Sequence, residues 1–166
     1  MYRIALSALF GVICYRWGNL RNWKEYYPTI LFYIIGDLSY NLLFHEKMLW
    51  QFQNLVSHMF SDYFIAFFVS PFAIILFLTH FPAGFWKRIM YMLAWALVIT
   101  LLESFSYALG LITYDNGWSI ALSFVFDYFM GLMIWIHYKK PLLAWPLSLG
   151  VALIMLYVFK VPLDGI

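Results

Sequence analysis

The chain has 166 residues, of which 65% are hydrophobic and only 11% are charged. Soluble globular domains carry about 25% charged residues, so this composition excludes an ordinary soluble fold and indicates an integral membrane protein. The formal net charge is only +2, which gives no support for a nucleic-acid-binding surface. The loops between apolar runs are short, and we expect residues 1–166 to form a single transmembrane helical domain.

Six apolar runs follow one another along the chain: Tyr2 to Tyr15, Pro28 to Phe44, Leu55 to Leu78, Ile89 to Ile112, Trp118 to Ile136 and Pro141 to Phe159. A helix that crosses the hydrocarbon layer needs roughly 20 apolar residues. Runs three to six meet this length, and run two meets it narrowly. The first run spans only if Arg3 and Arg16 extend to opposite surfaces. We predict an all-α, compact bundle of six transmembrane helices, with five as the alternative, and a kink at Pro71.

Lysine and arginine are distributed unequally between the loops. Loops one, three and five hold seven of these residues, which are Arg16, Arg21, Lys24, Lys87, Arg88, Lys139 and Lys140. The positive-inside rule therefore places these three loops in the cytoplasm. His137 lies beside Lys139 and is expected at the same basic rim. Because aromatic residues accompany Arg16, Arg21 and Lys24, we predict that these three side chains contact anionic lipid headgroups.

Four acidic residues lie inside the apolar runs, one in each of runs two to five: Asp37, Asp62, Glu103 and Asp127. At 1.5 Å per residue, all four lie roughly 12 to 15 Å below the predicted outer surface. Ionisable groups are costly in a bilayer and usually face a protein interior or a water-filled cavity. The sequence therefore predicts an acidic intramembrane pocket that opens toward the outside.

Each acid has a polar neighbour four residues away, on the same face of its helix. These supporting residues are Asn41, His58, Tyr107 and Ser123. No Lys or Arg shares the run interiors, so the four carboxylates cannot all stay ionised without protons or a bound cation. Carboxylates with a histidine suit a divalent metal ion, for which Asp62, His58 and Glu103 are the candidate ligands. An organic cation is the other candidate, since nearby aromatic rings offer cation–π contacts.

Three functions fit these features. The first is a protein that binds or transports a small cation, which can be a divalent metal, a proton or an organic cation. The second is a structural or accessory protein with protonated packing carboxyls, which acts as a homo-oligomer or with a protein partner. The third is a small substrate-binding subunit of an importer, although the first run lacks an alanine-rich coupling motif.

The sequence contains no recognisable catalytic motif. His45 and Glu46 begin like a zinc-protease HExxH motif, but Leu49 occupies the position of the second histidine. This pattern favours a role other than that of an enzyme. The residues Asp115, Asn116 and Gly117 predict a tight turn between runs four and five. Trp118 follows that turn and is predicted to be an anchor at the membrane interface.

Three segments carry a family resemblance: NWKEYYPTILFYIIGDLSYNLLF (Asn22 to Phe44), LGLITYDNGWSIALSFVFDYFMG (Leu109 to Gly131) and HYKKPLLAW (His137 to Trp145). They resemble a family of small, uncharacterised multi-pass membrane proteins from spore-forming Firmicutes, the bacilli and clostridia. The resemblance covers most of the chain. It implies a location in the bacterial cytoplasmic membrane and a fold shared along the chain, and it implies no activity.

Overall fold

The computed structural model describes the backbone of residues 2–53 and 58–162 and the side chains of residues 7–53 and 63–162. It is mostly helical. In chain order, the elements are α1 (Tyr2–Trp17), α2 (Trp23–Leu43), β1 (Trp50–Phe52), α3 (His58–Phe68), α4 (Ser70–Thr79), α5 (Phe85–Ala108), β2 (Ile112–Tyr114), α6 (Ile120–Lys139) and α7 (Pro141–Val158). A short 3-10 helix at Leu20–Asn22 joins α1 to α2.

Three of the described helices are long and apolar enough to cross a membrane. These are α5 with 24 residues, α6 with 20 and α7 with 18. By comparison, α1 has 16 residues and α4 has ten. Length and composition thus support three of the predicted spans, and the count of six remains a prediction.

The third apolar run forms two helices. α3 ends at Phe68 and α4 begins at Ser70, next to Pro71. Proline has no N–H group to donate to the preceding turn, and its ring crowds the carbonyl of that turn. The predicted kink is confirmed, and it takes the form of a break between two helices.

The first, third and fifth loops meet at one end of the molecule. The Asn19 N–H donates to Thr79 Oγ1 at 3.2 Å, and the Tyr138 hydroxyl donates to Glu25. The guanidinium group of Arg88 lies 5.0 Å from the centre of the Trp135 ring. We call this the basic end, since it carries the exposed side chains of Arg16, Arg21, Lys24, Lys87, Lys139 and Lys140.

His137 was expected at the basic rim, but the structure buries its side chain inside the basic end. Its side chain is only 5% exposed, and its ring stacks on Phe32 with 4.2 Å between the ring centres. The Thr29 Oγ1 atom lies 3.0 Å from His137 Nδ1, in a hydrogen bond. Helix α6 continues to Lys139, and this turns His137 toward α2 and α7 while the two lysines face outward.

The second and fourth loops meet at the opposite end, which we call the sheet end. There β1 pairs antiparallel with β2, with Gln51 opposite Thr113. The Lys47 ammonium group donates to the Phe159 carbonyl at 2.7 Å and so joins the end of α7 to this sheet. The all-helical prediction missed the strands because three residues are too few to show a period.

The predicted turn after β2 is confirmed. Asn116 and Gly117 have φ values of 54° and 88°, which Asn and Gly tolerate better than other residues. The Trp118 N–H closes the turn onto the Asp115 carbonyl at 2.9 Å. The turn brings Trp118 back over the start of α6, above the polar residues described next.

Candidate functional site

Two of the predicted acids face each other across the packed helices α5 and α6. The Ser123 hydroxyl donates to Glu103 Oε1 at 3.0 Å, and the Thr100 hydroxyl donates to Asp127 Oδ2 at 2.9 Å. Each helix therefore supplies one carboxyl group and one hydroxyl group, and each hydroxyl binds the carboxyl group of the other helix. We call Glu103 and Asp127 the carboxylate pair.

The two residues whose hydroxyl groups bind the pair are themselves buried. Thr100 is 6% exposed and Ser123 is 3% exposed. The spacings place each hydroxyl one turn from the acid of its own helix, and so on the same face. The pair is thereby fixed between α5 and α6, away from the exposed apolar sides of these helices.

Helices α2 and α4 extend this polar region. The phenol of Tyr33 lies within electrostatic range of Asp37, Glu103 and Asp127, and close to the Ser70 hydroxyl. Three of the four predicted acids therefore lie within electrostatic range of one tyrosine. The side chains of Asp62 and His58, both on α3, lie outside the described residues.

The predicted supporting residues have different environments. Ser123 belongs to the site through its bond to Glu103. The side-chain amide of Asn41 instead donates to the backbone carbonyl of Asp37, one turn earlier, at 3.1 Å. Tyr107 is 48% exposed, and its ring stacks on that of Tyr114 with centres 4.9 Å apart. Asn41 thus binds the backbone of Asp37, and Tyr107 packs on Tyr114; neither side chain is seen to bind a carboxyl group of the described residues.

Trp118 is a site residue that the sequence did not predict. Its Nε1–H donates to Ser123 Oγ at 2.8 Å, which makes a chain of two hydrogen bonds from Trp118 through Ser123 to Glu103. The residue is 9% exposed, so it is more buried than an interface anchor. Helical spacing could not identify it, because Trp118 precedes the first turn of α6.

Tyr114 is the second residue of the site that the sequence did not identify. Its hydroxyl group lies close to Glu103 and Ser123, and burial raises the pKa of this phenol. The oxygen is buried and makes no hydrogen bond of regular geometry within residues 7–53 and 63–162. A polar oxygen therefore faces the carboxylate pair from the sheet end.

Aromatic rings pack around Trp118 at the sheet end. The rings of Tyr40 and Trp50 stack with centres 3.9 Å apart, and Trp50 lies 4.8 Å from Trp118. The Tyr40 hydroxyl accepts the Leu49 N–H at 2.9 Å and the Trp50 N–H at 3.1 Å, and so fixes the cover to β1. We call Tyr40, Trp50, Trp118 and Phe126 the aromatic cover.

Charge compensation is the main chemical requirement of the site. Within the described side chains, the one ion-pair contact lies at the surface, between His45 and Glu46 at 3.8 Å. The same side chains include no group of three or more His, Cys, Asp or Glu residues that could hold a metal ion. Of the candidate ligands Asp62, His58 and Glu103, only the last has a described side chain. Two nearby carboxylates in an apolar layer require a proton or another cation.

Removing the Thr100 hydroxyl tests the bond between the two helices. We expect Thr100→Val, which preserves the shape of the side chain, to lower the free energy of unfolding by about 1 to 3 kcal/mol. Unfolding in mixtures of dodecyl maltoside and SDS measures this change. Thr113→Val is the matched control, since the Thr113 hydroxyl accepts its bond from Gln53 on the exposed surface. Equal stability of both variants and the wild type would contradict a structural role for the Thr100 bond.

The site thus combines two carboxyl groups, two hydroxyl donors, a buried phenol oxygen and an aromatic cover. Such a set can accept a proton or coordinate a small cation, and it can equally hold two helices together. Comparisons of the chain with protein-family models, curated proteins and solved structures find no match.

Proposed function

We propose that this chain is a multi-pass membrane protein that binds a proton or another small cation at Glu103 and Asp127. The observation that carries the proposal is the reciprocal pairing of these acids with hydroxyl donors on facing helices. Hydroxyl groups orient carboxylates but bring no positive charge, so the compensating charge must come from a ligand or a proton. A proton is the smallest group that meets this requirement.

A divalent metal would need further ligands. Hard cations take about six or more oxygen ligands, and zinc takes about four ligands. The carboxylate pair would supply only part of either set, and Asp37, Asp62 and His58 are the residues proposed to complete it. An organic cation would instead lie against the aromatic cover, whose Trp118 binds Ser123 next to Glu103.

The membrane location is part of the same proposal. Support comes from the three long apolar helices and from large apolar side chains on their outer surfaces, such as Leu101 on α5 and Leu142 on α7, which are 59% and 88% exposed. Apolar surface of this kind is suited to lipid. In the proposed arrangement, α1, α2, α3 with α4, α5, α6 and α7 form six spans, and the basic end faces the cytoplasm of a bacterial cell.

A structural role is the second candidate. It is favoured by the aromatic cover, which closes the sheet end, and by the hydrogen bonds that already engage Glu103 and Asp127. In that role both carboxyl groups would remain protonated and would only hold α5 to α6. The two candidates differ in whether the pair exchanges its proton or cation with the surroundings.

The test compares wild type with Glu103→Gln/Asp127→Asn, and the exposed acids provide the control Glu46→Gln/Asp115→Asn. Elemental mass spectrometry of the purified protein detects bound metal, and infrared difference spectroscopy during a pH titration detects protonation of buried carboxyl groups. We expect the wild type and the control to bind a metal or to titrate a buried carboxyl group, and the double variant to do neither. Identical metal content and identical infrared changes in all three proteins would overturn the proposal.

A further inference from the structure

A cleft of about 450 Å³ opens between α1, α4 and α5. Its walls are formed by apolar side chains such as Ile13, Leu76, Trp95 and Leu102. The volume lies within the range of about 300 to 1,000 Å³ over which clefts bind small molecules. Of the predicted acids with described side chains, Asp37, Glu103 and Asp127, none lines the cleft, so its ligand differs from that of the carboxylate pair.

The polar residues among those that line the cleft lie at the end nearest the basic end. His80, at the end of α4, and Tyr91, near the start of α5, line it close to the basic end. Tyr91 and Leu102 both line the cleft and are eleven residues apart on α5, so the cleft is roughly 16 Å long. Half of a hydrocarbon layer is about 15 Å thick. The cleft therefore reaches from one membrane surface to about the midplane.

Helical spacing places two cationic residues beyond the polar end of the cleft. Arg16 follows Ile13 by three residues, and Lys87 precedes Tyr91 by four, so each shares the face of its helix that lines the cleft. Both side chains are exposed. Arg88, by contrast, donates to the Pro82 carbonyl and covers Trp135. Arg16 and Lys87 are therefore the cations placed to meet an anion at the entrance.

The size of the cleft decides which occupant fits. A helix is about 10 Å across with its side chains, which is wide for a cleft of about 450 Å³. A single hydrocarbon chain is narrow enough, and it matches the apolar walls. The charge beyond the polar end of the cleft, at the depth of a lipid headgroup, is complementary to a phosphate.

We propose that this cleft binds an anionic phospholipid, with one acyl chain between α1, α4 and α5 and the phosphate between Arg16, Lys87 and His80. This inference rests on the membrane location in the proposed function and is independent of the carboxylate pair. The bound lipid fills the gap that separates α1 from α5.

Native mass spectrometry of the detergent-solubilised protein, titrated with phosphatidylglycerol or phosphatidylcholine, tests the inference. We expect the wild type to bind one phosphatidylglycerol molecule more tightly than phosphatidylcholine. Arg16→Ala/Lys87→Ala should bind phosphatidylglycerol about 30-fold more weakly, since each cation near the membrane surface contributes about 1 kcal/mol. Lys139→Ala/Lys140→Ala is the matched control, because it removes the same charge from the basic end outside the cleft. An equal loss in both variants would overturn a specific site.

A second variant tests the position of the acyl chain. Val98 lines the cleft and is 49% exposed, so Val98→Trp should fill the cleft without disturbing the core. We expect this variant to lose the bound lipid of either class, and unchanged binding would overturn the inference. Glu103→Gln/Asp127→Asn should bind lipid as the wild type does. Recovery of the wild-type chain in the soluble fraction would overturn both proposals, whereas equal binding of both lipids by a membrane-inserted wild type would overturn this one alone.

Discussion

Replacing Trp118 with alanine is expected to lower the free energy of unfolding by about 3 to 5 kcal/mol. The Trp118 side chain is 9% exposed and packs against Trp50, Phe126 and Phe159, with ring centres 4.8 to 5.8 Å away. Its removal leaves a cavity among these rings and takes away the Nε1–H donor to Ser123. Unfolding in mixtures of dodecyl maltoside and SDS provides the measurement.

Two further variants separate the contributions of Trp118. Trp118→Phe retains a ring but loses the donor to Ser123. We expect the lost hydrogen bond to lower the free energy of unfolding by about 0.5 to 1.5 kcal/mol, in addition to the effect of the smaller ring. Trp86→Ala is the matched control, because Trp86 is 75% exposed, and its loss should change the free energy of unfolding by less than about 0.5 kcal/mol. If Trp118→Ala and Trp86→Ala unfold alike, the aromatic cover does not stabilise the sheet end.

The position of Trp118 also bears on the choice between the two candidate functions. Two hydrogen bonds connect its indole to Glu103: the indole donates to the Ser123 hydroxyl, which donates to Glu103. A proton or cation that reached the pair from this end would have to pass the aromatic cover. A protein in which the pair only holds helices together would use the same rings to exclude water. The aromatic cover is therefore expected to stabilise the fold under both candidate functions. What distinguishes the two functions is whether the carboxylate pair exchanges a proton or cation with its surroundings.

The sequence predicted the parts of the site that depend on helical spacing. Ser123 was predicted beside Asp127 and lies with it on one face of α6. Thr100 shares a face of α5 with Glu103 by the same kind of spacing. Spacing within a helix does not tell which residue of the next helix lies opposite. The reciprocal bonds between Thr100 and Asp127 and between Ser123 and Glu103 depend on the register of α5 against α6, which side-chain packing determines.

Residues outside the long helices were predicted less well. The turn at Asn116 and Gly117 was identified because few residues accept its backbone angles, but the strand before it has no readable pattern. Trp118 looked like an interface anchor, since tryptophan is common near membrane surfaces. Its burial results from the pairing of β1 with β2, a contact between loops more than 50 residues apart in the chain.

His137 shows the same limit at the opposite end of the molecule, and its replacement is the second large effect that we expect. His137→Ala should lower the free energy of unfolding by about 2 to 4 kcal/mol, because it leaves a cavity beside Phe32 and removes the partner of the buried Thr29 hydroxyl. The same unfolding experiment measures the loss. His45→Ala is the matched control, since the His45 side chain is 46% exposed, and it should have little effect.

A double-mutant cycle shows how much of this loss belongs to the hydrogen bond. Thr29→Val and His137→Leu should each destabilise the protein, because each leaves one buried polar group without its partner. The double variant replaces both groups with apolar side chains and should be more stable than the sum of the two single losses predicts, by about 1 kcal/mol or more. Additive losses would instead show that His137 acts mainly through its stacking on Phe32. Either result would measure how much the buried His137 contributes to the stability of the basic end.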